Sequence, residues 1–172
     1  VWTPGETVIA GIGQGFVLTT PIQLSVMTAR LANGKKAVKA TLLSEATKNP
    51  DDFPPLDISS SVLREIQRSM RSVISSGRGT ARKYELNGYK LAGKTGTVQV
   101  KRISKAEREE GIIDNIDRRW KDRDHALFVG YAPYDKPKYA ISVIVEHRRS
   151  GSSMAAPIAR DILQFALERH FT

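Results

Sequence analysis

The sequence predicts an α+β fold: an antiparallel sheet flanked by helices. Two apolar runs, 126–132 and 139–145, are rich in β-branched and aromatic side chains. Pro133-Tyr134-Asp135-Lys136-Pro137 lies between them, and a turn of that composition joins them as an antiparallel hairpin. Three other segments repeat apolar residues every three to four positions, as amphipathic helices do. Strands and helices in this order make an α+β unit and not a βαβ array.

Gly11-Ile12-Gly13-Gln14-Gly15 opens a loop, read as a tight bend before a helix, because its GxGxG spacing is weak as a nucleotide loop. Thr20 then supplies an N-cap, with Pro21 at the first helical position. Ile22, Leu24, Val26, Met27 and Leu31 recur at helical spacing and Asn33-Gly34 closes the segment, which gives a helix over 21–33. Residues 35–56, with prolines at 50, 54 and 55, read as an irregular surface connection with one short strand near 38–43. Ser59 or Ser60 caps a second helix whose apolar positions are Val62, Ile66, Met70 and Val73. Arg64, Arg68 and Arg71 are expected to face water on that helix, and Gly77 ends it.

The period then changes from helix to strand. Tyr89-Lys90-Leu91-Ala92 and Thr97-Val98-Gln99-Val100 flank Gly93-Lys94-Thr95-Gly96, which predicts a strand over 89–100. Residues 101–124 carry eight basic and seven acidic side chains and few large apolar ones, as a solvated excursion between two strands would. Beyond the hairpin, Arg148-Arg149-Ser150-Gly151-Ser152-Ser153 is a polar strand-to-helix loop. Pro157 sits in the first turn of a last helix, whose apolar face is expected to be Ile158, Ile162, Phe165 and Ala166.

A length of 172 residues fits one domain, able to bury about two-thirds of its unfolded surface. The net charge of +9 is spread along the chain: residues 1–100 hold 13 basic and 7 acidic groups, and residues 125–172 hold 6 and 4. No basic stripe interleaved with aromatic residues stands out, so nucleic acid is not an expected partner. The absence of cysteine excludes disulfides, thiolate metal sites and a cysteine nucleophile, and fits cytoplasm and periplasm alike. His125, His147 and His170 share no metal-ligand spacing, so neither a metal nor another cofactor is expected. His125 reads most simply as a packed or hydrogen-bonded residue at the start of a strand. No apolar run approaches the ~18 residues of a membrane span. The opening Val1-Trp2-Thr3-Pro4-Gly5 lacks both a methionine and a signal pattern, and reads as part of something longer.

Two motifs compete for one stretch. Gly88-Tyr89-Lys90-Leu91-Ala92-Gly93-Lys94-Thr95 satisfies the phosphate-loop pattern GxxxxGK[ST]. That loop needs an apolar strand before its first glycine and a helix beginning at its lysine, because the helix N-terminus meets the anion. Polar Arg82-Lys83-Tyr84-Glu85-Leu86-Asn87 precedes it, and β-forming Thr97, Val98 and Val100 follow. Read instead as a strand, Lys94-Thr95-Gly96 is the third motif of the penicillin-recognising serine enzymes.

The surrounding text agrees with the second reading. Ile12-Gly13-Gln14-Gly15, Thr19-Thr20-Pro21-Ile22-Gln23-Leu24, Leu31-Ala32-Asn33-Gly34, Gly79-Thr80-Ala81, Ala92-Gly93-Lys94-Thr95-Gly96-Thr97 and Phe128-Val129-Gly130-Tyr131-Ala132-Pro133 occur in order along the chain. In that order and spacing the sequence closely resembles class B penicillin-binding proteins over essentially its whole length. Asp124-His125 and Ala155-Ala156-Pro157-Ile158-Ala159 resemble the elongation-type branch.

The resemblance implies the C-terminal portion of a transpeptidase domain of the penicillin-binding-protein and serine β-lactamase type, spanning 1–172 with no second domain. It implies a peptidoglycan D,D-transpeptidase, periplasmic and anchored to the inner membrane by an N-terminal segment. Its ligands would be D-Ala-D-Ala stem peptides and β-lactams, and its partners a glycosyltransferase and the elongation machinery. By the same resemblance Lys94 places positive charge beside the substrate carboxylate and the serine network, and Thr95 and Thr97 hydrogen-bond that carboxylate. The Thr97 N–H would be an oxyanion donor, Gly96 lets substrate backbone pair with the strand, and family topology puts the Arg148 to Ser153 loop near the active-site end of the sheet. No serine from Ser25 to Ser153 has lysine three residues on or asparagine two on, so the chain is expected to be inactive alone. Thr80-Ala81-Arg82-Lys83 mimics S-x-x-K with threonine and is read as coincidence. A fragment with an uncovered strand edge is also expected to self-associate.

Overall fold

The computed structural model describes residues 2–42, 53–101, 103–148 and 150–169. Its centre is a three-stranded antiparallel sheet in the order β1-β2-β3, formed by β1 (Ala92–Val98), β2 (His125–Ala132) and β3 (Tyr139–Val145). The β2–β3 hairpin expected from the two apolar runs is present, with Ala132 opposite Tyr139 and Ala126 opposite Val145. β1 is shorter than the expected 89–100 for two physical reasons. Val98 already faces His125, the first residue of β2, so Gln99 and Val100 have no partner in the ladder. At the other end, the N–H and C=O of Leu91 are both taken by side chains, Glu85 Oε1 at 2.9 Å and Arg71 Nη1 at 2.7 Å.

Among the described residues there are five α-helices: α1 (Pro4–Gly11), α2 (Pro21–Asn33), α3 (Ser60–Ser75), α4 (Lys105–Glu110) and α5 (Ala156–Arg169), of which α2, α3 and α5 pack on the sheet. α2 has the expected ends. Thr20 and Gln23 form a capping box, Pro21 opens the first turn, and Gly34 closes the helix with φ 64°. α1 was not among the expected elements, although Thr3, Pro4 and Glu6 carry the same capping signature. It buries none of its residues, which is why no apolar period announced it. The short strand expected near 38–43 does not form over 38–42, and residue 43 lies outside the described residues. Lys36 instead bridges Pro55, and two prolines in succession at 54 and 55 leave no N–H to extend that ladder.

The core has two parts. On one face of the sheet, Ala126, Phe128 and Ala132 pack with Ala155, Ala156, Ala159, Leu163 and Leu167 of α5 and the residues just before it. On the other, Ala92 and Tyr131 meet Ala32 of α2 and Met70 of α3. The apolar face expected for α5 is therefore wrong: Ile158, Ile162 and Phe165 are 41–50% exposed. The helix is apolar along two stripes, and the one buried in the core with Ala126, Phe128 and Ala132 is Ala156, Ala159, Leu163 and Leu167, whose two alanines suit a closely packed interior. Arg71 likewise does not face water as expected but braces Leu91 and pairs with Glu85. Of the α3 apolar positions, Met70 is buried and Val62 is exposed; Leu63 and Ile74 complete the buried stripe.

The 101–124 connection is more ordered than a solvated excursion. Ser104 and Glu107 close a capping box on α4, and Trp120–Asp122 forms a 3-10 turn. Its end is fastened by the Arg118–Asp124 ion pair, mostly buried, and by a bond from the Asp124 N–H to Asn115.

Candidate functional site

Lys94, Thr95, Gly96 and Thr97 lie consecutively in β1, and β1 has no second neighbour among the described residues. Its outer edge is the candidate site. Successive peptide groups along a strand point to opposite sides. The polar groups of Leu91 face away from β2, toward Glu85 and Arg71, so those of Gly93, Thr95 and Thr97 face the open edge as well. Two side chains are consistent with this. Lys94 Nζ donates to the Thr95 carbonyl at 2.6 Å, and Gln14 Nε2 donates to the Thr97 carbonyl at 3.1 Å.

Side chains alternate in the same way. Thr95 and Thr97 stand opposite Phe128 and Ala126, on the α5 face, whereas Lys94 and Gly96 stand opposite Val129 and Leu127, on the α2–α3 face. Lys94 and Thr97 are exposed and Thr95 is half-buried. The edge thus presents an ammonium group, two hydroxyls, two N–H groups and two carbonyls within four residues. That set suits an extended ligand carrying a carboxylate.

Glycines shape the strand from both directions. A Cβ on Gly93 or Gly130 would strike the Phe128 ring, so these two residues form the slot in which that ring lies. Gly151 sits on the bare backbone of Gly96, in a π turn (Gly151–Ala155) fastened by the Met154 N–H to the Ser150 carbonyl. The stretch around it, expected to be a polar loop that the family resemblance puts near the active-site end of the sheet, packs on β1, with Gly151 buried.

Three supports were not foreseen. The Thr80 hydroxyl lies 2.9 Å from that of Thr95. Thr80 belongs to the Gly79-Thr80-Ala81 triplet, which carried the resemblance but no role. The Arg71–Glu85 pair fixes the entry to β1, and Gln14 reaches its far end. His125 and His147 pack edge to face at 4.7 Å, and His147 lies 4.2 Å from Trp120. The His147 N–H donates to His125 Nδ1 at 3.0 Å, so that nitrogen is the unprotonated one. The cluster anchors the end of the 101–124 connection. His170 lies outside the described residues.

The phosphate-loop alternative fails on geometry. Lys94 lies inside a strand, and no helix begins at it, so no helix N-terminus is offered to an anion there. An apolar hollow of about 650 Å³ beside α2, lined by Ile22, Val26, Met27, Leu31, Leu56 and Leu63 among others, includes none of Lys94 to Thr97. The polar groups gather on the exposed edge, and that hollow is apolar.

The penicillin binding protein transpeptidase domain matches residues 2–164. The chain belongs to this family. Penicillin-binding-protein relatives align along almost all of it. It is 36% identical to the peptidoglycan D,D-transpeptidase MrdA of Haemophilus influenzae over 98% of this chain and 27% of the relative. Identity is also 36% to MrdA of Acinetobacter baumannii, over 96% of this chain and 25% of the relative. Among solved structures, penicillin-binding protein PBP2 of Pseudomonas aeruginosa in complex with WCK 5153 superposes with a TM-score of 0.74 at 36% identity, covering 99% of this chain and 34% of that one. The Helicobacter pylori PBP2 in complex with MreC gives 0.77 at 29% identity, covering 99% and 29%. The chain therefore spans about a quarter of the length of the curated relatives it matches.

Proposed function

We propose that this chain is the C-terminal part of the transpeptidase domain of a bacterial peptidoglycan D,D-transpeptidase, and that β1 is its substrate-binding strand. The observation that carries the reading is the outer edge of β1, where Lys94, Thr95 and Thr97 gather around the outward-facing peptide groups of Thr95 and Thr97. In the reaction proposed, a serine attacks the carbonyl of the penultimate D-Ala. The terminal D-Ala leaves, and an amine of a neighbouring stem peptide then displaces the serine. Lys94 and the hydroxyls of Thr95 and Thr97 hold the substrate carboxylate, and the Thr97 N–H stabilises the oxyanion. Loss of one such donor costs about 3 kcal/mol of barrier.

The serine and its lysine come from residues outside these 172, since no S-x-x-K or S-x-N is present among them. Exposed apolar residues such as Ile12, Phe16 and Leu18 support a chain that packs against further protein. Likeness to a PBP2 seen in complex with MreC supports a partner of that kind, and likeness to peptidoglycan D,D-transpeptidases supports a place at the periplasmic face of the inner membrane, with the elongation machinery. The outer edges of β1 and β3, unpaired among the described residues, support self-association of the chain in isolation.

Fluorescent penicillin tests the reading. The 172-residue chain should remain unlabelled, and the chain extended upstream through an S-x-x-K serine should form a covalent adduct. Labelling of the short chain would contradict its proposed incompleteness, and silence of the long one would contradict the function.

A further inference from the structure

The Gly11-Ile12-Gly13-Gln14-Gly15 segment has no part in the function described so far, yet its geometry leads to the substrate strand. Gly13 and Gly15 both adopt left-handed conformations, φ 76° and 79°, on either side of Gln14. An added Cβ at Gly13 would meet nothing within 4 Å, so conformation and not space calls for glycine there. The Gln14 N–H donates to the Ile9 carbonyl at 3.1 Å and the Gly13 N–H to that of Ala10 at 2.9 Å, which fastens the bend to the end of α1. From this bend, half-buried between exposed neighbours, Gln14 extends its amide to the Thr97 carbonyl, 83 residues away in sequence.

Thr97 is the residue in β1 that most needs such a tether. It is next to last in the strand, and pairing stops at Val98 opposite His125. Its peptide groups turn away from β2, so the ladder does not hold them. An oxyanion donor is effective when its position is set before charge develops.

We propose that Gln14 is a positioning residue for acyl transfer. Its amide fixes the Thr97 carbonyl, and with it the residue whose N–H meets the oxyanion. The inference rests on the reading of β1 as the substrate strand. It also gives the paired glycines a purpose, since they aim Gln14 across the mouth of the site.

The test uses the full-length enzyme, with penicillin acylation resolved into a binding constant Ks and an acylation rate k2, alongside thermal melting. Gln14→Met keeps the length and loses the donor. It should lower k2 roughly three- to tenfold, the scale of one neutral hydrogen bond, and leave Ks and Tm near wild type. Gln14→His retains an N–H donor and should recover part of the rate. Gly13→Ala strains the bend while leaving Gln14 in place, and should lower k2 as well. Full k2 in either Gln14→Met or Gly13→Ala overturns the proposal, so an unstable Gln14→Met protein does not shelter it. A loss confined to Ks overturns it too, because Gln14 would then be a binding contact. Absence of acylation in the wild-type enzyme would instead overturn the substrate-strand reading, and this proposal with it.

Discussion

Gly151 rests on the backbone of Gly96. A Cβ at Gly151 would run into the carbonyl oxygens of Gly96 and Leu127 and stand 2.9 Å from the Gly96 nitrogen. The contact exists because Leu127 sends its side chain to the opposite face and Gly96 has none, leaving bare peptide on the α5 side. The turn that leads into α5 thereby becomes the backing of β1, the proposed substrate strand.

Gly151→Ala should accordingly destabilise the protein by about 1–3 kcal/mol, the range for overpacking a filled site. The measurement is guanidinium unfolding of the full-length enzyme. An unchanged midpoint would mean that the turn can lift from β1 at no cost.

Thr80 and Thr95 should behave as a pair. Their hydroxyls are 2.9 Å apart at the edge of the site, so one orients the other. A double-mutant cycle of Thr80→Val and Thr95→Val, read in the acylation barrier, should show a coupling of about 0.5–1.5 kcal/mol. Thr80→Ser, which keeps the hydroxyl, should retain most of the wild-type rate. Additive effects of the two valines would remove Thr80 from the site.

Arg71 should matter more than its surface-helix appearance implies. Its guanidinium holds the Leu91 carbonyl and pairs with Glu85, whose other oxygen holds the Leu91 N–H. Arg71→Met should cost about 1–3 kcal/mol, as for hydrogen bonds to charged groups. Glu85→Gln should cost less, because the amide oxygen still accepts and Glu85 is the more exposed partner. Chemical denaturation of the two variants checks the order.

Glu107 provides a pH signature for the 101–124 connection. Its hydrogen bond from Lys101, aided by the Ser104 cap, holds its carboxyl at about 2, against an ordinary value of 4.5. A carboxylate lowered on folding stabilises the folded α4 cap fully above about 4.5, and that contribution is lost as pH falls toward 2. The Glu107 side-chain carbon shift in an NMR titration should therefore move with a midpoint near 2. In Lys101→Met the midpoint should rise toward the ordinary range.

Local chemistry determined a good part of this protein by itself. Thr20-Pro21 and Asn33-Gly34 set both ends of α2, the proline-bearing turn set the β2–β3 hairpin, and Lys94 to Thr97 marked the strand of the candidate site. Each of these is a statement about neighbours within a few residues, where caps, turns and alternation act. Only the tertiary structure decided which stripe of α5 is buried, because Ile158, Ile162 and Phe165 are as apolar as Leu163 and Leu167 and spacing weighs them equally. The same holds for Gln14 on Thr97, Thr80 on Thr95 and Gly151 on Gly96. These contacts join residues 15 to 83 positions apart, and what selects them is the close approach of backbones once the sheet has formed.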